Sequence, residues 1–431
     1  MTDQSSAKFN LIARGLTLVS LLLIVFVYFS PVWWVSLKAP NYPAETFPDG
    51  IRIHFHMNGV ENGCQLIDTD EQQETEVLDC VHEMDAINHF VGMYPIASGG
   101  VIEKAFSPFL MSLVGVLLVG FLIFNAKVRT LVMGVGFTGI AVWMYLTYYS
   151  PGGIGYQNAG YLSAMVTSLG QGHEEEGEAI SPIIAKLKES LHSSGQSSQV
   201  SESELRSSLD QTGQQKLSDT IKKLHQGSGA GAGKEKTLKE ILAEAEASEV
   251  TGKEAHIQVL QASFEADMAR RDADKRDEWV GSGEQVLFWH YKKALGRWFN
   301  NPAEIEPLVK IMKTAGTIVF WGVIVGMAFL VFVTRKNSSP FYWLLILPTI
   351  ILPVAFIVEY ASWLWWYGHS LNDMGAFTLK PFMPTVLGQG KVAQFSTHSY
   401  PHYGFGMMCA AAFFMLVAFL MRRKGMQGES E

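Results

Sequence analysis

Charge is scarce in this chain. Only 17% of its 431 residues are Asp, Glu, Lys or Arg, against about 25% in an ordinary soluble domain, too few for a water-soluble protein of this size. Cysteine is scarcer, with three in all. None belongs to a CxxC pair, which argues against a thiolate metal site, and the absence of CxxCH disfavours a c-type haem. No GxxxxGK[ST], no GxSxG and no GxGxxG after a strand occurs, so nucleotide hydrolysis and esterase chemistry lack support, and a bound nucleotide is not expected. HExxH is missing as well. The reading is therefore of a protein that is not an enzyme. A formal net charge of −8 excludes a strongly basic nucleic-acid binder.

What the chain does have is apolar length. Uncharged runs near residues 15–34, 107–124, 130–149, 315–333, 341–363 and 403–421 each approach the 20 or so helical residues that cross a hydrocarbon core of about 30 Å. The expectation is an all-α polytopic membrane protein of about six transmembrane helices. Lys8, Arg14, Lys127, Arg129, Arg335, Lys336, Arg422, Arg423 and Lys424 all fall on one side of that arrangement, which by the positive-inside rule is the cytoplasmic side. Against Asp3, Glu429 and Glu431 they leave +6 there and −14 for the rest. Both termini are thus expected in the cytoplasm of a bacterium, with the chain in its inner membrane. The segments divide as 1–34 (tail and first span), 35–106 (an extracytoplasmic α+β loop domain), 107–149 (a transmembrane hairpin), 150–314 (a long extracytoplasmic insertion), 315–363 (a second hairpin), 364–402 (a His- and Met-rich outer loop) and 403–431 (last span and tail).

Within this frame some residues stand out. Trp33, Trp34, Trp363, Trp365, Trp366 and Tyr367 sit where interfacial aromatic belts are found. Pro348 and Pro353 should bend the fifth span, and Glu359 near its outer end is an intramembrane carboxylate, a candidate site unless it simply reaches the headgroups. Residues 51–57 alternate, placing Ile51, Ile53 and Phe55 on one strand face and Arg52, His54 and His56 on the other. Cys64 and Cys80 are read as a disulfide, with a thiolate site as the alternative.

The insertion is mixed. Its stretch 193–235 is rich in Ser, Gln and Gly and is expected to be disordered. Residues 236–275 read as an exposed helix able to support a partner contact, and 286–313 as an amphipathic segment on the membrane surface.

Imidazole and thioether suit copper, thioether favouring Cu(I). His369, His398 and His402 with Met374 form the richest candidate set, His89 with Met93 a second contact, and His54, His56 and Met57 a possible further metal site. Packed methionines and hydrogen-bonded histidines are the competing reading of the same residues.

Several phrases carry a resemblance. Ala39, Pro40, Tyr42 and Pro43, then Ile87, Asn88, His89, Gly92 and Met93, then Tyr367, Gly368, His369 and Leu371 resemble "APQYP", "INxLNHYIGM" and "YGHNL" of small bacterial membrane proteins encoded among the accessory genes of nitrous-oxide reductase. The likeness covers about the first 105 and the last 70 residues and leaves out the middle. It implies an accessory role in maturing an extracytoplasmic copper enzyme or in its copper or electron supply, with a membrane or periplasmic redox protein as partner. Two alternatives stand beside it: a secondary transporter or ion-coupled protein centred on Glu359, and a structural scaffold.

Overall fold

The computed structural model describes residues 2–40, 42, 44, 47–64, 79–166, 168–169, 253–299, 301–336, 341–376, 379–392 and 394–428. The stretch 193–235, expected to be disordered, lies outside them. Two compact units divide the chain, one of residues 1–161 with 280–431 and one of residues 162–279.

In the larger unit six helices are long and apolar enough to cross a bilayer: α1 (Thr2–Tyr28), α3 (Ile96–Leu122), α4 (Ala126–Tyr149), α7 (Pro302–Val333), α8 (Leu347–His369) and α9 (Tyr403–Gly428). They make the chain a multi-pass membrane protein. Shorter helices α2 (Cys80–Phe90) and α6 (Gly283–Trp298) accompany them. The smaller unit contains α5 (Lys253–Ala269), which buries Val259, Leu260, Phe264 and Met268, so a helix read as exposed has an apolar face that is covered.

The first helix stops before the sequence reading ends it. Phe29 and Ser30 close α1 with tight bonds to the carbonyls of Phe26 and Val27, and Pro31, lacking a backbone donor, starts a strand instead. That strand, β1 (Pro31–Lys38), is the centre of a five-stranded antiparallel sheet of order β3-β2-β1-β5-β4, with β2 Ile51–His56, β3 Gly59–Asn62, β4 Gly388–Val392 and β5 Phe395–Pro401. The register sets Trp33 opposite Phe55 on one side and Pro401 on the other. The segment 364–402, read as a loop, thus supplies a hairpin to the sheet begun just after the first span. The six helical spans are as expected, and the small α+β part expected of residues 35–106 alone is a sheet built from both ends of the chain.

One sheet face is apolar and meets the helices. Trp33, 2% exposed, makes ring contacts with Phe356, Tyr360 and Phe405 at 5.5–6.1 Å and donates its Nε1–H to Ser399 Oγ at 2.8 Å. Phe55 meets Tyr360 at 5.0 Å. Burying Trp33, Ile51 and Ile53 stabilises this junction by about 1.5–3 kcal/mol each. Trp33 is therefore a core residue rather than a belt anchor.

The bundle is tied at both ends. In α1 the buried Ala13, Thr17, Ser20, Ile24 and Val27, and in α9 Met408, Ala411, Met415, Ala418 and Arg422, follow alternating steps of three and four, the seam of two supercoiled helices. Small residues let the backbones approach, and Ser20 Oγ donates to the Ala411 carbonyl across it. At the end opposite the sheet lie two buried guanidiniums, Arg129 at 0% and Arg422 at 2% exposure. Arg422 donates to the Phe121 carbonyl, and Arg129 to those of Thr334 and Ile123. These carbonyls close α3 and α7 and have no intrahelical partners. Tyr342 lies under both cations at 4.7–4.8 Å.

Two further expectations change. Pro348 falls in the first turn of α8, where a missing donor costs nothing; a 3-10 turn, Tyr342–Leu345, precedes it. The segment 286–313 is no surface helix. It splits into α6, which buries Val286, Leu287, Tyr291 and Leu295, and the start of α7, a helix of 32 residues and about 48 Å that outruns the bilayer.

Candidate functional site

The sheet side of the larger unit gathers the unusual residues. Its organiser is α2, capped by Asp79, whose carboxylate accepts from Val81 and His82 N–H. Midway along α2, Asp85 accepts from Ile96 N–H at 2.8 Å and so caps α3. Cys80, its first residue, is joined to Cys64 by a disulfide that ties α2 to the end of β3.

All three phrases of the resemblance meet at this helix. Tyr42 donates to Glu83 Oε2 at 3.1 Å, and burial together with that carboxylate pushes its phenol up to about 12. At the other end the chain turns through Gly92 at a φ of +81°, a conformation costly for a residue with a side chain. There the Gly92 carbonyl accepts from Asn372 N–H at 2.7 Å, and a Cβ on Gly92 would lie 2.7 Å from the Asn372 carbonyl oxygen. Asn372 also donates through its amide to Glu304 at the head of α7. Gly368 is needed for a similar close approach, since a Cβ there would collide with the carbonyl oxygen of Phe382, whose N–H donates to the Gly368 carbonyl at 3.0 Å. Residues 87–93 and 367–375 are thus one structural unit.

The candidate metal residues are distributed over this side. His89 lies against Phe299 at a ring distance of 4.9 Å, and Met93 packs with Tyr94, Tyr291, Leu295, Phe299, Ile305 and Tyr367. His369 stacks on Trp365 at 4.5 Å, and its Nδ1 is 2.8 Å from the Trp365 carbonyl. Met374 is exposed, and Met57 lies half-buried in the β2–β3 turn. His398 pairs in the sheet with Ser36 and Gln389. Among the described residues no three or more His, Cys, Asp or Glu side chains surround a common point.

One pair does come together. His54 on β2 and His402, just past β5, have ring centroids 5.3 Å apart, although 347 positions separate them in sequence. They lie on the polar face of the sheet, where Arg52 covers Trp34 at 4.4 Å. Burial, then Arg52 and the neighbouring imidazoles, pushes His54 down to about 4; burial, then Arg52 and His56, lowers His402. Both are neutral at pH 7 and able to ligate. His54 Nε2 is buried without a hydrogen-bond partner among the described residues, whereas His402 Nδ1 accepts from Tyr403 N–H at 2.9 Å.

Beneath the sheet, on its apolar side, lies a second arrangement that the sequence reading half found. Glu359 on α8 accepts from Trp363 Nε1–H at 2.8 Å and borders the same cavity as the carboxyl of Glu103 on α3. Glu359 sits exposed at the mouth; Glu103 lies deeper, its Oε2 fully enclosed. The cavity beside them, about 50 Å³, is also lined by His56, Gly100 and Tyr367. Tyr367 is 3% exposed, and its hydroxyl has no partner among the described residues. His56 Nε2 is 3.6 Å from Glu61 on β3, and burial lowers its titration while Glu61 opposes that. Trp363 and Trp366 belong here too: Trp366 stacks on Tyr94 at 5.5 Å, while Trp365 remains exposed as a belt residue would be.

Comparison with models of known families, with curated proteins and with solved structures finds no match.

Proposed function

We propose that this is an accessory protein of a bacterial inner membrane, not an enzyme, with both termini cytoplasmic and the sheet side outside. There it assists the maturation of an extracytoplasmic copper enzyme such as nitrous-oxide reductase, or its supply of copper or electrons. The observation that carries this reading is the convergence on α2 of the three phrases shared with the accessory proteins it resembles. A surface built from residues so far apart in sequence suits a docking platform. Charge placement supports the orientation, since the cationic loop ends lie opposite the sheet.

Copper contact is assigned to His54 and His402, whose neutral imidazoles face each other. The orphaned His54 Nε2 fits a soft or borderline metal. For His402 to bind through Nε2, the Tyr403 N–H contact has to be given up so that Nδ1 carries the ring proton. His369, His398 and Met374 sit on separate elements, and His89 with Met93 is taken up by aromatic packing.

Purified full-length protein, loaded with Cu(I) and desalted, tests the assignment. Retained copper should be lost in a His54→Ala, His402→Ala double variant and kept in a His369→Ala, His398→Ala variant. The opposite pattern restores the original ligand set, and no retained copper in wild type removes the metal role.

A further inference from the structure

The geometry points to a second site, independent of the copper reading: Glu103 and Glu359 form a carboxyl pair at one cavity that holds one exchangeable proton. Four observations carry it. Glu103 and Glu359 border one cavity, and two carboxyl groups brought together in this way favour one proton held between them over two negative charges. Trp363 donates to Glu359 Oε1, and an indole N–H cannot accept, so that oxygen is fixed as an acceptor. Tyr367 hydroxyl and Glu103 Oε2 are buried without partners among the described residues and border the same cavity. At about 50 Å³ that space holds water, since one molecule needs roughly 10–15 Å³, and a water there satisfies both orphaned groups.

The path outward is short, because Glu359 is exposed at the mouth of the cavity. Exchange breaks the acid O–H as its proton passes to the cavity water, which passes one of its own protons to solvent at the mouth; return follows the reverse order, and the pair regains its proton. The groups that face the pair are Tyr291 of α6 toward Glu103 and Asp85 of α2 toward Tyr367. Tyr360 of α8 is engaged by Ser399 and takes no part.

A proton is favoured over a metal ion. Glu103, Glu359 and His56 border one cavity but do not surround a common point. With two carboxyls so close, one proton removes most of their repulsion.

Infrared difference spectroscopy of the full chain in lipid nanodiscs tests the site. Wild type should show a carboxylic-acid C=O band at neutral pH that shifts in D₂O. The band should be lost in Glu103→Gln and in Glu359→Gln, and shifted in Trp363→Phe, a milder change that removes only the N–H donor. A wild-type spectrum without the band, or a band that survives both Gln substitutions, overturns the shared proton. A band that does not shift in D₂O overturns its exchange with solvent.

Discussion

His54 ties the chemistry of the polar sheet face to pH. In the unfolded chain its imidazole titrates near 6.5, whereas in the fold burial, Arg52, His402 and His56 hold it to about 4. The folded state therefore binds fewer protons than the unfolded one between those values. The associated stability is complete above about pH 6.5 and is lost as pH falls toward about 4. Thermal melts in detergent across this window should decline less steeply for His54→Gln than for wild type; parallel declines would contradict the assigned environment. Residues of this kind were unevenly legible. Glu359 announced itself as an acid in an uncharged run, but Glu103, beside Lys104 and ahead of the apolar stretch, read as part of a loop. Only the packing of α3 under β3 places it opposite Glu359. The alternation of residues 51–57 marked a strand with His54 on its polar face, yet nothing local in the sequence pairs His54 with His402 or sets His56 at the cavity on the apolar side.

At the scale of elements, the six spans were legible because hydropathy and length are enough to define them. Strand β1 was not, since VWWV extends an apolar run without interruption and only Pro31 marks the change. Strand β5 was hidden by the prolines and glycines around it. Its residues 395–401 alternate Phe, Thr and Ser with Ser, His and Tyr, a weak strand signal that becomes decisive once β1 is there to pair. The end of the bundle opposite the sheet offers a direct test of element packing. Replacing Arg422 by Met leaves the Phe121 carbonyl without this donor, for a loss of roughly 1–3 kcal/mol, and a lowered melting temperature should follow. Arg422→Lys keeps the charge but not the planar stacking on Phe124 and Tyr342, so it should restore part of the loss. Equal melting temperatures for all three proteins would remove Arg422 as a closing contact.

Across the whole molecule, the first and last spans run side by side and the strands that adjoin them share a sheet. The sheet that joins them draws its strands from residues 31–62 and 388–401, which is why sequence alone could name the phrases near the two ends of the chain without showing that they touch. The central claim is that this platform serves copper delivery to an extracytoplasmic redox enzyme. Its most direct test is the copper content of that enzyme, purified from cells with and without this chain at limiting copper. The account predicts copper-deficient enzyme without the chain, restored by wild type and not by the His54→Ala, His402→Ala variant; fully loaded enzyme in its absence would contradict it.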